Sequence, residues 1–166
     1  MPEPWLRRAL TDEPAVARGV LHALQLAEED VNQWCAALSD EEVNATPADL
    51  ASVAFHVQHI GGSLDRLLTY AEGRELSDTQ LCVLRAETNP AESKSQLLQD
   101  LADAIACATP RILAVGSGDL EQPRSVGRLK LPTTIGGLLV HIADHTQRHT
   151  GQAVITAKIV LHSRLA

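Results

Sequence analysis

The sequence predicts an all-α fold, a bundle of four long helices. In four segments the apolar residues recur three and four positions apart, which is the spacing of a helix with one buried face. Aromatic residues make up only 2% of the chain, so the core is built from Leu, Ala, Val and Ile, which suit helix packing better than a β-sandwich. With 166 residues, 45% of them hydrophobic, we expect one domain over residues 1–166 that buries its core without disulfides.

The first two predicted helices cover residues 13–38 and 48–72. Pro14 suits the first turn of a helix, and the polar stretch 39–47 contains a proline and is predicted to be a connection. We expect Gly73 to end the second helix in the left-handed conformation. The apolar stripe of that helix is Val53, Val57, Ile60, Leu64, Leu67 and Ala71.

The middle of the chain predicts a short element, a third long helix and a loop. The short element covers residues 77–85, and the long helix covers 91–115, where Pro110 is expected to kink or shorten it. Residues 116–132 contain three Gly and two Pro and are predicted to form a long loop. Within this loop the best candidate for a strand is 125–131.

The fourth predicted helix begins near Thr133 or Thr134, either of which can cap it, and continues to about Leu161. A strict three-four spacing runs along it and predicts a buried seam. The seam is apolar at its ends and polar at its centre, so its central groups require partners if they are buried. Its members are Ile135, Leu138, Ile142, His145, His149, Gln152, Thr156 and Ile159.

Five of the seven histidines form two clusters, and these predict a metal site. His145 and His149 lie one helical turn apart on the seam, so their nitrogens can converge on one ion. His141 lies on the flank of the seam, where we expect it to be exposed or to orient a ligand. The third ligand must come from the second helix, where His56 and His59 are both candidates. Three protein ligands and water form the open arrangement typical of a catalytic metal site.

Two other metal motifs are less consistent with the sequence. The pattern His141-x-x-Asp144-His145 is similar to the HxxEH motif of inverted zinc proteases, but Asp replaces Glu and is too short to place a general base well. A ferritin-like di-iron site requires Glu-x-x-His pairs, and the sequence contains none. The remaining histidines, His22 and His162, are isolated and predicted to be surface or packing residues.

Charge and cysteine content restrict the partners and the compartment. The net charge of −7 disfavours binding to nucleic acid and to anionic lipid. The apolar runs are too short to span a membrane, and residues 1–10 lack the pattern of a signal peptide. Cys35, Cys82 and Cys107 are widely spaced, so we expect each to be a small buried residue with a reduced thiol. These features favour a cytoplasmic protein.

Two segments resemble the motifs of the DinB/YfiT-like superfamily. Residues 56–68, HVQHIGGSLDRLL, are similar to its second-helix motif, and residues 141–152, HIADHTQRHTGQ, are similar to its last-helix motif His-x3-His-x3-His-x-Gly-Gln. With the helix pattern, the resemblance covers most of the chain. It implies a bundle with up-down-down-up topology and a homodimer. It also implies a divalent metal, often zinc or nickel.

By the positions that match these motifs, the resemblance implies that the metal ligands are His59, His145 and His149. His56 is then a reserve ligand or a residue that orients a ligand. Three imidazoles and water also accept iron or manganese, so the donor set alone leaves the metal open.

The family includes thiol S-transferases that use bacillithiol or mycothiol, and a mycothiol-dependent maleylpyruvate isomerase. The first hypothesis is therefore a metal-dependent transferase in which a low-molecular-weight thiol attacks an electrophilic substrate. Gln152 is the candidate for binding the cofactor, whereas Arg66 and Arg148 are expected to pair with nearby acids on the surface. The alternatives are a metal-activated hydrolase and a dimeric bundle that binds a metal or small ligand without turnover. The sequence assigns no catalytic residue.

Overall fold

The structure is a computed structural model that describes residues 1–91 and 93–164. It confirms the all-α fold with four long helices. Within the described residues, no helix is both long and apolar enough to cross a membrane. The helices are α1 (Ala15–Cys35), α2 (Val53–Ala71), the short α3 (Asp78–Ala86), α4 (Lys94–Gly116) and α5 (Ile135–Ser163), and a hairpin of β1 (Pro123–Val126) and β2 (Leu131–Thr134) precedes α5. Single 3-10 turns lie at Pro4–Leu6, Glu42–Asn44 and Pro47–Asp49.

Side-chain caps fix where four of the helices begin. Ser52, Ser77, Ser93 and Thr134 each accept a hydrogen bond from a backbone N–H in the first turn of the helix that follows. Thr134 is therefore the cap of α5. Gly73 has a φ of +77° just after α2, in the left-handed conformation that the sequence predicts.

The region between α3 and α5 differs from the prediction in three ways. The helix α4 begins at Lys94, because Ser93 is its cap, and it continues past Pro110 to Gly116. The predicted loop contains an antiparallel hairpin in which Pro123 faces Thr134. The strand candidate 125–131 was wrong in its bounds, because most of that range is the turn between the two strands.

The core lies where α5 packs against both α1 and α2, while α4 packs on the other side of the same two helices. Contacts along α2 and α5 run in opposite senses, since His59 faces His145 and Ala51 accepts a hydrogen bond from Thr156. The α2–α5 interface therefore brings the two histidine clusters together. Fully buried side chains of this core include Leu24, Ile60, Leu64, Leu101, Ile112, Leu139 and Ile142.

The buried face of α5 follows the predicted seam only in its first half. Gln152 and Ile159, which the seam places inside, are exposed. A repeat of 3.5 residues drifts by about 20° per heptad from a helix of 3.6 residues per turn, so over this long helix the seam turns away from the core. From residue 146 onward the buried residues of α5 include one seam member, Thr156, and five others: Thr146, Thr150, Ala153, Ala157 and Val160.

The cysteines divide into one buried and two exposed residues. Cys35, at the end of α1, is buried, and burial raises the pKa of its thiol to about 11. Cys82 and Cys107 are exposed, so the prediction that each is a buried residue was wrong for both. Cys82 lies on α3, which buries none of its residues, and Cys107 lies on an exposed part of α4.

Candidate metal centre

Three histidines converge between α2 and α5. His59 comes from α2, and His145 and His149 come from successive turns of α5. One nitrogen from each ring lies within 4.8 Å of the other two, and His59 Nε2 is 3.3 Å from His145 Nε2. The three rings are half-buried. A neutral imidazole offers one lone pair, so three that face one another can all be satisfied by a single metal ion.

Glu87 fixes the orientation of His59. The Nδ1–H of His59 donates to Glu87 Oε2 at 2.7 Å, which leaves Nε2 as the nitrogen available to a metal ion. Glu87 follows the last residue of α3 and is only 4% exposed. Its second oxygen, Oε1, accepts a hydrogen bond of 2.5 Å from Nη1 of Arg66, which is also buried. Arg66 therefore balances the charge of the carboxylate that holds His59.

A glycine in α2 makes room for this carboxylate. A Cβ atom on Gly62 would lie 2.2 Å from Glu87 Oε1 and 2.7 Å from Arg66 Nη1. Both distances are far shorter than any van der Waals contact, so a side chain here would displace the ends of two residues. Gly61, its neighbour, has ordinary space, since its Cβ would lie 3.4 Å from that of Ala104.

The other two histidines also have polar partners. Ser63 Oγ donates to Ile60 O, so it accepts from the Nδ1–H of His145 at 3.4 Å. His56 Nδ1 lies 3.1 Å from His149 Nδ1, and one of these two nitrogens carries the shared proton. The group that converges contains His59 rather than His56, and His56 instead contacts one of its members.

Burial favours the neutral form of His56, His145 and His149. Burial, with a smaller contribution from neighbouring imidazoles, lowers the pKa of His56 and of His145 to about 4. Burial also lowers the pKa of His149, and His59 and Arg148 add to the effect. Neutral rings retain the lone pairs that a metal ion needs.

An aromatic ring covers one side of the cluster. Phe55, one turn before His59 on α2, stacks on the His59 ring at 5.6 Å between centroids and 15° between planes. It also meets the His149 ring edge-on at 6.5 Å. The only phenylalanine of the sequence therefore packs against two of the three converging rings.

The remaining residues of the last-helix motif lie on the outside of α5. His141 is exposed, as expected, with its ring 5.3 Å from that of His145. Gln152 is exposed three residues beyond His149, and its role in cofactor binding stays a prediction. Arg148 pairs on the surface with Asp144 at 2.6 Å, as the sequence predicts.

The prediction that Arg66 pairs with an acid on the surface was wrong. Its partner, Glu87, directly follows α3 and is itself buried. Sequence reasoning did not single out Glu87, because it follows a short helix with no regular apolar stripe. The one nearby signal is the pattern Ser77-x-x-Gln80, which forms the capping box at the start of α3 and so locates that helix.

Comparison with known proteins identifies one family. The family model of the DinB superfamily matches residues 23–153. The matched range includes the three converging histidines together with Glu87 and Arg66. No curated protein matches the chain.

Proposed function

The chain belongs to the DinB superfamily, and from this membership we propose that it is a metal-dependent transferase that uses a low-molecular-weight thiol. The proposed ligands of one divalent ion, zinc or nickel, are His59, His145 and His149. The proposed substrates are the thiol and a small electrophile. We further propose that the protein acts as a cytoplasmic homodimer.

The observation that carries the proposal is the arrangement of the three imidazoles. One nitrogen from each ring lies within 4.8 Å of the other two, and each ring also contacts a different polar side chain: Glu87 for His59, Ser63 for His145 and His56 for His149. A bound divalent ion would lower the pKa of a thiol or water that reaches it. Three protein ligands leave room for such a molecule.

The roles of the chain's own residues follow from this geometry. Glu87 holds the proton of His59 on Nδ1, and Ser63 holds that of His145 on Nδ1, so both rings present Nε2. In the proposed reaction the thiolate sulfur forms a bond to an electrophilic carbon while the bond to the leaving group breaks, and the thiol proton passes to solvent. Gln152, exposed beyond His149, is the proposed contact for the polar part of the thiol.

The alternative functions differ in what they require of the chain. A hydrolase needs a general base close to the ion. Asp65 bonds to Arg111 and Gln80, and Asp144 bonds to Arg148, so neither candidate carboxylate is directed at the histidines. A bundle that binds a metal or small ligand without turnover needs no such base and is therefore the second candidate.

The test is the metal content of protein purified without a His tag. We expect about one divalent ion per chain in the wild type, and loss of the ion in His59→Ala, His145→Ala and His149→Ala. The exposed His162 supplies the control, since His162→Ala should retain the ion. Absence of metal after reconstitution with zinc, nickel and manganese would overturn the proposal.

Turnover separates the transferase from the second candidate. Incubation of the metal-loaded protein with a panel of thiols and electrophiles, read by mass spectrometry, should yield thioether products that depend on His145. Stoichiometric metal with no product across the panel would contradict the transferase and support a binding protein.

A further inference from the structure

A cavity lies against α2, away from the three converging histidines. It has a volume of about 380 Å³, is lined by residues of α2, α3 and α4, and opens to solvent. This volume is within the range of small-molecule pockets, about 300–1,000 Å³. None of the three converging histidines lines it, although Glu87 and Arg66 do. We refer to it as the α3 cleft.

The walls of the α3 cleft are mainly apolar, and one of them is loosely packed. Leu97, Leu101 and Val57 line it from the bundle and are almost fully buried. Across from them, α3 buries none of its residues, and its Val83, which also lines the cleft, remains 47% exposed. An apolar occupant would bury Val83 against the three bundle residues, and such burial is favourable.

Polar contacts hold α3 over the cleft. Gln80 Nε2 donates to Asp65 Oδ2 at 2.7 Å and to Thr69 Oγ1 at 2.8 Å. These contacts attach α3 at its first turn, and Glu87 attaches it at its end through His59 and Arg66. The helix is therefore fixed at both ends while its apolar side chains have little to pack against.

Arg66 provides the main set of hydrogen-bond donors inside the cleft. It is only 8% exposed, and a guanidinium carries five N–H donors. Within residues 1–91 and 93–164, its hydrogen bond is the one from Nη1 to Glu87. Nε and Nη2 have no acceptor within these described residues, and because Arg66 lines the cleft, an oxygen of a bound ligand can accept from them.

The charges that line the cleft indicate which kind of ligand oxygen can accept from Arg66. Three carboxylates line the cleft, those of Asp65, Glu87 and Asp100. One guanidinium, that of Arg66, also lines it, and a second, that of Arg111, lies 2.6 Å from Asp65. Three negative groups against two positive ones disfavour a carboxylate or a phosphate. The neutral oxygen of a carbonyl group accepts from Arg66 without this repulsion.

We propose that the α3 cleft binds a neutral, mainly apolar small molecule that carries a carbonyl group. The carbonyl oxygen accepts from Arg66, and the apolar body packs between Val83 and the bundle residues Val57 and Leu101. This binding requires no metal ion, so its test is independent of the test of the transferase proposal.

Three probes of similar size test the chemistry on the 166-residue protein as purified. N-butylbenzamide has an apolar body and a carbonyl, pentylbenzene lacks the carbonyl, and 4-butylbenzoate replaces it with a carboxylate. Titrations followed by NMR should give at least about tenfold tighter binding for the benzamide than for either other probe, a difference of about 1.4 kcal/mol. Equal or tighter binding of the benzoate would overturn the assignment of a neutral carbonyl.

Matched variants test the location. Val83→Asp places a charge in the cleft and should weaken benzamide binding at least about tenfold, whereas Leu84→Asp, next to it on α3 and outside the lining, should not. Ala104→Phe fills the cleft and should have the same effect, with Ala106→Phe on the exposed face of α4 as its control. Since Val83 is half-exposed, its substitution should leave the protein folded. Unchanged affinity in Val83→Asp would overturn the site.

Arg66→Lys tests the donor. Lysine keeps the positive charge beside Glu87 but lacks the forked guanidinium, so benzamide binding should weaken several-fold while pentylbenzene binding stays constant. Loss of both affinities together, or of neither, would contradict the role of Arg66.

Discussion

Two arginine–carboxylate pairs lie close to the histidines, and they differ in their surroundings rather than in their length. Arg66 and Glu87 are 2.5 Å apart with 9% and 4% of their side chains exposed, whereas Arg148 and Asp144 are 2.6 Å apart with 59% and 57% exposed. Of the two carboxylates, only the buried one also bonds to one of the three converging histidines. Burial, and the third partner it brings, therefore decides what such a pair does.

The physical basis is the cost of removing charge from water. The two members of an exposed pair exchange contacts with water for contacts with each other, and the gain in stability is small, about 0–1 kcal/mol. A buried pair cannot recover water when one member is lost, so the remaining charge is left uncompensated. The buried pair thus holds Glu87 in one position, and Glu87 in turn holds His59.

Of the substitutions at the two pairs, Glu87→Ala should have the largest effect. It leaves Arg66 buried without its partner and His59 without its acceptor, so we expect a loss of about 3–5 kcal/mol in the free energy of unfolding. Metal affinity should fall about 10–100-fold. Denaturant unfolding and metal titration measure the two effects.

The matched control is Asp144→Ala, which removes the carboxylate of the exposed pair. It should change the free energy of unfolding by less than about 1 kcal/mol and leave metal affinity unaltered. Comparable effects of the two substitutions would show that burial does not separate the pairs.

The contrast between buried and exposed groups also predicts a pH dependence for the metal-free protein. The pKa of His56 and of His145 is about 4 in the folded state against an ordinary 6.5. Between these values the unfolded chain takes up protons that the folded chain does not, so stability falls as the pH drops from about 6.5 to about 4. Thermal unfolding measured across this range should show the decrease.

Substitution identifies the histidines responsible for that decrease. His145→Asn should flatten the dependence, whereas His162→Asn, at an exposed position, should leave it as in the wild type. A melting temperature in the metal-free wild type that is constant from pH 7 to pH 5 would contradict the prediction.

The smallest expected effect comes from adding one methyl group beside the buried pair. Gly62→Ala should shift Glu87 and Arg66 and reduce metal affinity by up to about tenfold, without unfolding the protein, because both displaced groups are side-chain ends. Gly61→Ala is the control and should gain about 0.5–1 kcal/mol in stability from better helix propensity. Equal metal affinities in the two variants would show that Glu87 tolerates the added methyl group.

The four long helices could be predicted because each has a regular apolar stripe and a clear beginning. The strict spacing also placed His145 and His149 together, since a short segment of helix has too few turns for the stripe to drift. Over the full length of α5 the drift accumulates, and Gln152 and Ile159 became exposed for that reason.

The contacts that complete the site depend on tertiary packing, which the pattern does not encode. From the residues alone His56 and His59 were both candidates, with His56 closer to the centre of the apolar stripe, and the family resemblance favoured His59. The crossing of α2 and α5 brings His59 into the converging group. Arg66 looked like a surface residue because its partner, Glu87, is 21 positions away on a helix with no apolar stripe. The predicted burial of Cys82 and Cys107 was wrong because the exposure of a side chain depends on whether its face of the helix packs against a neighbour.

The missing side chain at Gly62 also restricts which sequences can share this arrangement. A relative with any larger residue at this position has no space for a carboxylate and a guanidinium at their present places. Substitutions at Gly62, Arg66 and Glu87 should therefore be inherited together rather than singly. A chain that keeps the three histidines but carries a side chain at this position would have to orient its α2 histidine by another route, and this residue can be used to sort the superfamily into subgroups.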